Sequence, residues 1–279
     1  MRKSLFKKHI GKVLAFVATL ILFFLYIYPF VLVVINSFKE RVDIVRNPMA
    51  LPTSLNFENF INAYNRMNFT TAFMNTLLIT TVSLFLILFF SSMLAYFLAR
   101  WAWKLNKVIF IVLVLSMIIP FQVVMIPFVV IYGNFFGVLD NRSTLMFAYL
   151  GFGVAQSVFL YHGFIKGIPR ELEEAAAVDG AGRMRIFFQV VFPMLRPITS
   201  TIAILTMLWI WNDYLLPSLV LTSPANRTIP LSTFAFFGRF TAEFGIAMAA
   251  LLLAILPIII FYLILQKHII KGIADGAIK

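Results

Sequence analysis

Charged and aromatic side chains rarely fall together in this chain, so the short stretches where they do are the first candidates for chemistry. Trp209, Asn212 and Asp213 lie within the apolar run 198–221, and Asp213 is the only acid inside any such run. An acid at bilayer depth is costly to desolvate and is a functional candidate for that reason. Trp209 and Asp213 sit one helical turn apart on a shared face, with Asn212 beside them. Counting about 1.5 Å per residue from Ile198 puts Asp213 in the outer half of the membrane. An aromatic ring beside an amide and a carboxyl group can stack on a sugar and hydrogen-bond its hydroxyls. The same groups can instead join neighbouring helices, and the residue types leave both roles open.

A second concentration of charge lies in the one long polar, alanine-rich interval between apolar runs, residues 171–193. Pro169 suits the first turn of a helix, and Glu171, Glu173 and Glu174 then lie near its positive end. Ala175, Ala176 and Ala177 favour helix and leave a face that another backbone can approach closely. Gly180 and Gly182 are predicted to supply the left-handed turn that stops it. An amphipathic piece follows, with Ile186, Phe187, Val190 and Val191 on its apolar side, until Pro193 and Pro197 break it. The interval reads as helix, glycine turn, helix at a membrane surface.

Little else could catalyse. His9, His162 and His268 are far apart, and the chain has no cysteine, which excludes disulfides, thiolate metal sites and cysteine nucleophiles. No P-loop, H-E-x-x-H or G-x-S-x-G pattern occurs. We therefore expect no catalytic residue, no metal and no cofactor here, and any nucleotide must bind another chain.

The elements that position these stretches are membrane helices. Hydrophobic residues make up 62% and charged residues 12% of the chain, with 32 Phe, against about 45–50% and about 25% in soluble domains. The net charge of +12 would suggest nucleic acid in a soluble protein, but in a membrane protein its distribution between loops matters more, and no nucleic-acid partner is expected. Apolar runs at 13–35, 73–98, 108–132, 144–165, 198–221 and 245–265 predict an all-α polytopic protein with six spans. The first is too long for a signal peptide and no small-residue cleavage site follows it. With the N-terminus inside, only Lys39, Arg41, Arg46, Arg66, Arg142, Arg227 and Arg239 fall outside, and the other 16 of 23 basic residues fall inside. The positive-inside rule thus places both termini and the 171–193 interval in the cytoplasm. A basic N-terminal segment 1–12, the membrane domain 13–265 and a tail 266–279 complete the organisation. Trp101 and Trp103 beside Arg100 and Lys104 read as anchors among lipid headgroups. The polar interval 36–70 reads as an outer loop carrying a short amphipathic helix.

The order Glu174-Ala175-Ala176, Asp179-Gly180-Ala181, Phe187 and Pro193 resembles the EAA signature of permease subunits of ABC importers. The resemblance extends from Tyr28 and Pro29 to Lys279. Its Trp209-to-Tyr214 stretch with Pro217, the run from Ile229 to Phe234, Phe244-Gly245, Met248 and the C-terminal tail are similar to carbohydrate-uptake permeases of the MalG-like type. Asp275 departs from that pattern, where a small uncharged residue is usual. The resemblance implies a cytoplasmic coupling helix between spans 4 and 5, within a loop at 166–197, that docks on an ATPase. It implies a bacterial-type inner-membrane protein carrying a sugar delivered by an external binding protein. The implied partners are a second permease, forming a heterodimer, and two ATPase subunits, with the tail reaching between the ATPases. Glycerol-phosphate-type substrates fit the same family. A secondary transporter without an ATPase is the alternative, but it should show inverted repeats and several intramembrane charges.

Overall fold

The computed structural model describes residues 2–237 and 243–277, with side chains for 11–236, 243–261 and 263. Arg239, residues 278 and 279, and the side chains of Lys267, His268, Lys271 and the rest of the tail lie outside the described residues. So do those of His9 and the basic residues before Gly11.

Every element is helical among the described residues: α1 (Arg2–Ser37), α2 (Arg41–Arg46), α3 (Glu58–Arg66), α4 (Phe69–Arg100), α5 (Lys104–Ser116) and α6 (Phe121–Val129). There follow α7 (Arg142–Lys166), α8 (Glu171–Val178), α9 (Arg183–Ile186), α10 (Phe192–Met194), α11 (Arg196–Asn212), α12 (Leu215–Val220), α13 (Ile229–Phe234) and α14 (Phe244–Ala277). Wider turns at Val130–Phe135 and Phe187–Val191 continue α6 and link α9 to α10.

Four stretches are long and apolar enough to cross a membrane unbroken: Gly11–Ser37, Phe69–Arg100, Arg142–Lys166 and Phe244–Phe261. These match the first, second, fourth and sixth expected spans. The third and fifth are not single helices. Lys104–Ser116 and Phe121–Phe135 meet at 97°. The 198–221 run is split at Asp213 between α11 and α12, while a separate bend of 74° sets Arg183–Met194 against Arg196–Asn212 just ahead of it. Pro120 is extended at ψ 137° and cannot donate a helix hydrogen bond, so α5 stops at Ser116 and the chain turns before α6 restarts. Pro197, in the first turn of α11, likewise starts a helix instead of continuing one. The chain therefore has six spans only if each bent pair is counted as one.

Contacts divide the chain into two compact units. In the first, Met1–Phe69 with Thr233–Ile258, the predicted amphipathic helix is α3. Its Asn59 amide donates to the Ser37 and Lys39 carbonyls at 2.9 Å each, tying α3 to the end of α1. Lys39 is buried but satisfied, donating to Asn36 Oδ1, the Asn47 carbonyl and, at 3.4 Å, the Pro48 carbonyl. Gly245 opens α14 against the same knot, where a Cβ would lie 2.6 Å from the Lys39 carbonyl oxygen.

The second unit, Thr70–Ser232 with Ile259–Lys279, holds the candidate residues. Its α4 buries Asn75, Thr76, Thr80, Ser83, Ser91 and Ser92, and such small polar side chains let helices approach closely in a membrane. Gly153 of α7 extends that contact, since a Cβ there would come 2.7 Å from Ile87 Cδ1. Two apolar cores result. One, around Tyr96, Tyr161, Phe187 and Leu195, lies at the α8 end of the helices; the other, around Ile79, Ile87, Tyr149 and Ile210, adjoins α12.

Candidate functional site

The bend between α5 and α6 opens a cavity of about 760 Å³ walled by α5, α6, α7, α11 and α12, and Trp209 and Asp213 both line it. They reach it differently from a shared helical face. α11 ends at Asn212, and Asp213 leaves the helix with extended backbone, ψ 128°. Its Oδ1 accepts from the Leu215 N–H at 2.9 Å, capping α12, while Oδ2 accepts from the Tyr149 hydroxyl at 3.0 Å. The Tyr149 ring meets Trp209 edge-on with centroids 5.4 Å apart. Asn212 stands apart from this group: it is absent from the cavity wall, exposed, and its amide bonds back to the Leu208 carbonyl.

Tyr149 is the residue that sequence reasoning missed. A tyrosine in the middle of a predicted span has a hydroxyl that needs a partner once buried, and that was the available signal. Gln122 and Ser116 add polar groups to the wall, which carries no Lys or Arg among the described residues.

The 171–193 interval folds as helix, turn, helix. α8 ends in a paired cap in which Ala181 N–H bonds the Ala176 carbonyl and Gly180 N–H the Ala177 carbonyl, each at 3.0 Å. Gly180 takes φ +81° there, as expected, whereas Gly182 sits at φ −70° and needs no glycine freedom. The eight signature residues divide into two sets. Glu174, Ala175, Asp179 and Gly180 are exposed, whereas Ala176, Ala181, Phe187 and Pro193 turn inward, Phe187 being buried. Of the apolar side predicted for the second helix, Ile186, Phe187 and Val191 are buried and Val190 half-buried. Leu172 and Val178 remain exposed on α8, Val178 at 87%. Glu173 turns the other way, into a buried ion pair with Arg100 at 2.6 Å. The Arg183 guanidinium lies over the Trp101 ring at 5.4 Å.

At the opposite end of α7, Asp140 sits in the left-handed region at φ 57°. Its carboxyl Oδ1 accepts from the Thr222 and Ser223 N–H groups, the Ser223 hydroxyl and, more distantly, the Asn226 amide. The Ser223 N–H, then its hydroxyl, do most to hold that carboxyl down at about 2, against 3.8 for an ordinary aspartate. Next to it, Arg142 donates to Asn75 Oδ1, and the Asn75 amide donates to the Ala225 and Arg227 carbonyls.

A polytopic helical bundle with an exposed signature helix and an open, mainly apolar cavity carrying a few polar groups suits a transport permease. Residues 87–275 match the family described as binding-protein-dependent transport system inner membrane component. The chain belongs to this family: it is a transport permease and not itself a catalyst. It is 44% identical over 98% of its length, and 99% of the relative's, to a probable starch degradation products transport system permease protein, AmyC, of Thermoanaerobacterium thermosulfurigenes. It is 38% identical over 90% of its length, and 91% of the relative's, to the melibiose/raffinose/stachyose import permease protein MelC of Bacillus subtilis. In fold it is similar to a chain of a bacterial ABC transporter that imports the acidic polysaccharide alginate, with a TM-score of 0.75 at 22% identity over 93% of this chain and 96% of that one.

Proposed function

We propose that this chain is one permease subunit of an ATP-driven importer that carries a sugar delivered by an external binding protein. The observation that carries this reading is the exposure of α8. Leu172 and Val178 are apolar, exposed and outside the unbroken spans, on a helix with no buried residue of its own. Apolar side chains exposed among charged ones on a surface helix leave room for a docking partner. The EAA-type order of residues on this helix supports an ATPase as the partner. With each bent pair counted as one span, there are six spans. Both termini and α8 are then cytoplasmic, and α8 is the coupling helix between spans 4 and 5. A second permease subunit and two ATPase subunits complete the assembly, and the tail from residue 266 reaches between the ATPases. Closure of the ATPase pair on ATP moves α8, and the spans alternate between outward and inward openings.

The cavity supplies the chemistry for a sugar. The Trp209 indole offers a stacking face, and Asp213 and Gln122 offer hydrogen-bonding groups on the same wall. Lacking a Lys or Arg, that wall suits a neutral hydroxylated ligand better than a phosphate ester. Relatives named for starch products, melibiose, raffinose and stachyose support the class. The test is Trp209→Ala in the assembled importer. Sugar uptake should fall while the permease accumulates normally and retains its ATPase. Unchanged uptake kinetics would return Trp209 and Asp213 to a purely interhelical role.

A further inference from the structure

Glu173 and Glu174 are neighbours in the first turn of α8, about 100° apart around the helix axis. Glu174 is exposed, and Glu173 is held. Both Glu173 oxygens are engaged: Oε1 accepts from Arg100 Nε at 2.6 Å and Oε2 from the Tyr96 hydroxyl at 2.8 Å. The Arg100 and Glu173 side chains are only 8% and 14% exposed. Arg100 also donates from Nη2 to the Ile168 carbonyl at 3.0 Å, in the turn that leads from α7 into α8. Tyr96 packs on Phe187 and Trp101 at centroid distances of 5.1 and 5.6 Å, so the second signature helix is tied to the same point.

We propose that Tyr96, Arg100 and Glu173 form a strut that transmits displacement of α8 into α4, with Glu173 and Arg100 as positioning residues. This rests on the reading of α8 as the coupling helix and adds the route by which its movement reaches the spans. α8 has no fully buried residue and packs on the core through little more than Ala176, so the polar tie at Glu173 is its strongest hold on the bundle. Both charges of the pair are nearly shielded from water, which makes it hard to separate once one partner shifts. Arg100 is the last residue of α4, a helix of 32 residues with buried polar side chains from Asn75 to Ser92. Force applied at Glu173 is therefore delivered along α4, while Glu174 stays available for the outside partner.

The experiment uses the complete importer reconstituted in liposomes, comparing Glu173→Ala, Glu173→Gln, Arg100→Ala, Tyr96→Phe and the Arg100→Ala/Glu173→Ala pair with Glu174→Lys. The readouts are sugar transported per ATP hydrolysed and ATPase retained on the purified permease. Glu173→Ala should keep its ATPase yet lower sugar per ATP by about 2- to 30-fold, the range for residues that couple distant sites. Glu173→Gln, which keeps the shape and an acceptor, should recover part of that loss. The double variant should be no worse than either single one. Should the alanine variants fail to accumulate, Tyr96→Phe removes one bond without emptying the core and should still lower the ratio. An unchanged ratio in Glu173→Ala, or in Tyr96→Phe where the alanine variants are lost, would overturn the strut. So would loss of the ATPase in Glu173→Ala, because Glu173 would then belong to the docking surface. If Glu174→Lys also keeps its ATPase and full uptake, the coupling-helix reading is what has failed.

Discussion

Replacing Tyr149 with Phe removes a single hydroxyl from the cavity wall. Tyr149 is 1% exposed, and the phenyl ring retains the edge-on contact with Trp209, so packing changes little. The change leaves Asp213 Oδ2 without its 3.0 Å partner, while Oδ1 keeps the Leu215 N–H. Asp213 is only partly buried and faces the cavity, where water can replace the lost donor, so Tyr149→Phe should destabilise the protein by about 0.5–1.5 kcal/mol, the net worth of one hydrogen bond. Because Asp213 also starts α12, loosening it should disturb the joint between α11 and α12 and depress sugar uptake. The decisive assay is a double-mutant cycle with Asp213→Ala, read by unfolding in detergent. The two residues touch, so the coupling energy should fall within about 0.5–3 kcal/mol. Costs that add to within about 0.3–0.5 kcal/mol, as for unconnected sites, would refute the claim that the pair acts as a unit.

Three further outcomes follow from particular residues. Gly180 has open space around it but φ +81°, so Gly180→Ala should cost about 1–2 kcal/mol through backbone strain alone, and Gly180→Asn should cost less, both seen in detergent melting and in uptake. Gly153→Leu should lower membrane abundance and stability by about 1–3 kcal/mol through overpacking against Ile87, and a companion Ile87→Ala should restore part of it; no rescue would place the damage elsewhere. The folded Asp140 carboxyl sits at about 2, below its ordinary 3.8, so its hold on residues 222–226 is complete above 3.8 and lost as pH falls through about 2. Amide exchange in that loop should therefore rise at the acid end, and Asp140→Asn should remove the step.

Much of this architecture was legible because it depends on length and composition. Residues 73–98 and 144–165 are apolar enough to specify single helices, and they are observed inside α4 and α7. The glycine turn at Gly180 was legible because only one backbone conformation stops α8 there. The breaks at 117–120 and at Asp213 were not, since apolar runs continue across both and hydropathy cannot see a lost backbone hydrogen bond. Pro120 was the available sign for the first. For the second, Asp213 is itself the helix end, which a helical wheel treats as one more face position. Pairings were the least legible. Nothing local links Tyr149 to Asp213 or Arg100 to Glu173, 64 and 73 residues apart, because their contact is made by helices returning across the bundle. Asn212 shows the converse: adjacency to Asp213 in sequence does not survive the turn out of α11, and Asn212 lies off the cavity wall.

If the exposed face of α8 meets an ATPase, Val178 should lie at the contact. The chain has no cysteine, so Val178→Cys introduces a unique thiol at a position 87% exposed. The measurement is thiol cross-linking of this variant in intact cells making the complete importer, with adducts identified by mass. An adduct with the ATPase subunit should form and should disappear when Glu174→Lys is added. Absence of that adduct, with the same thiol reacting from outside the cell with a membrane-impermeant maleimide, would contradict that contact.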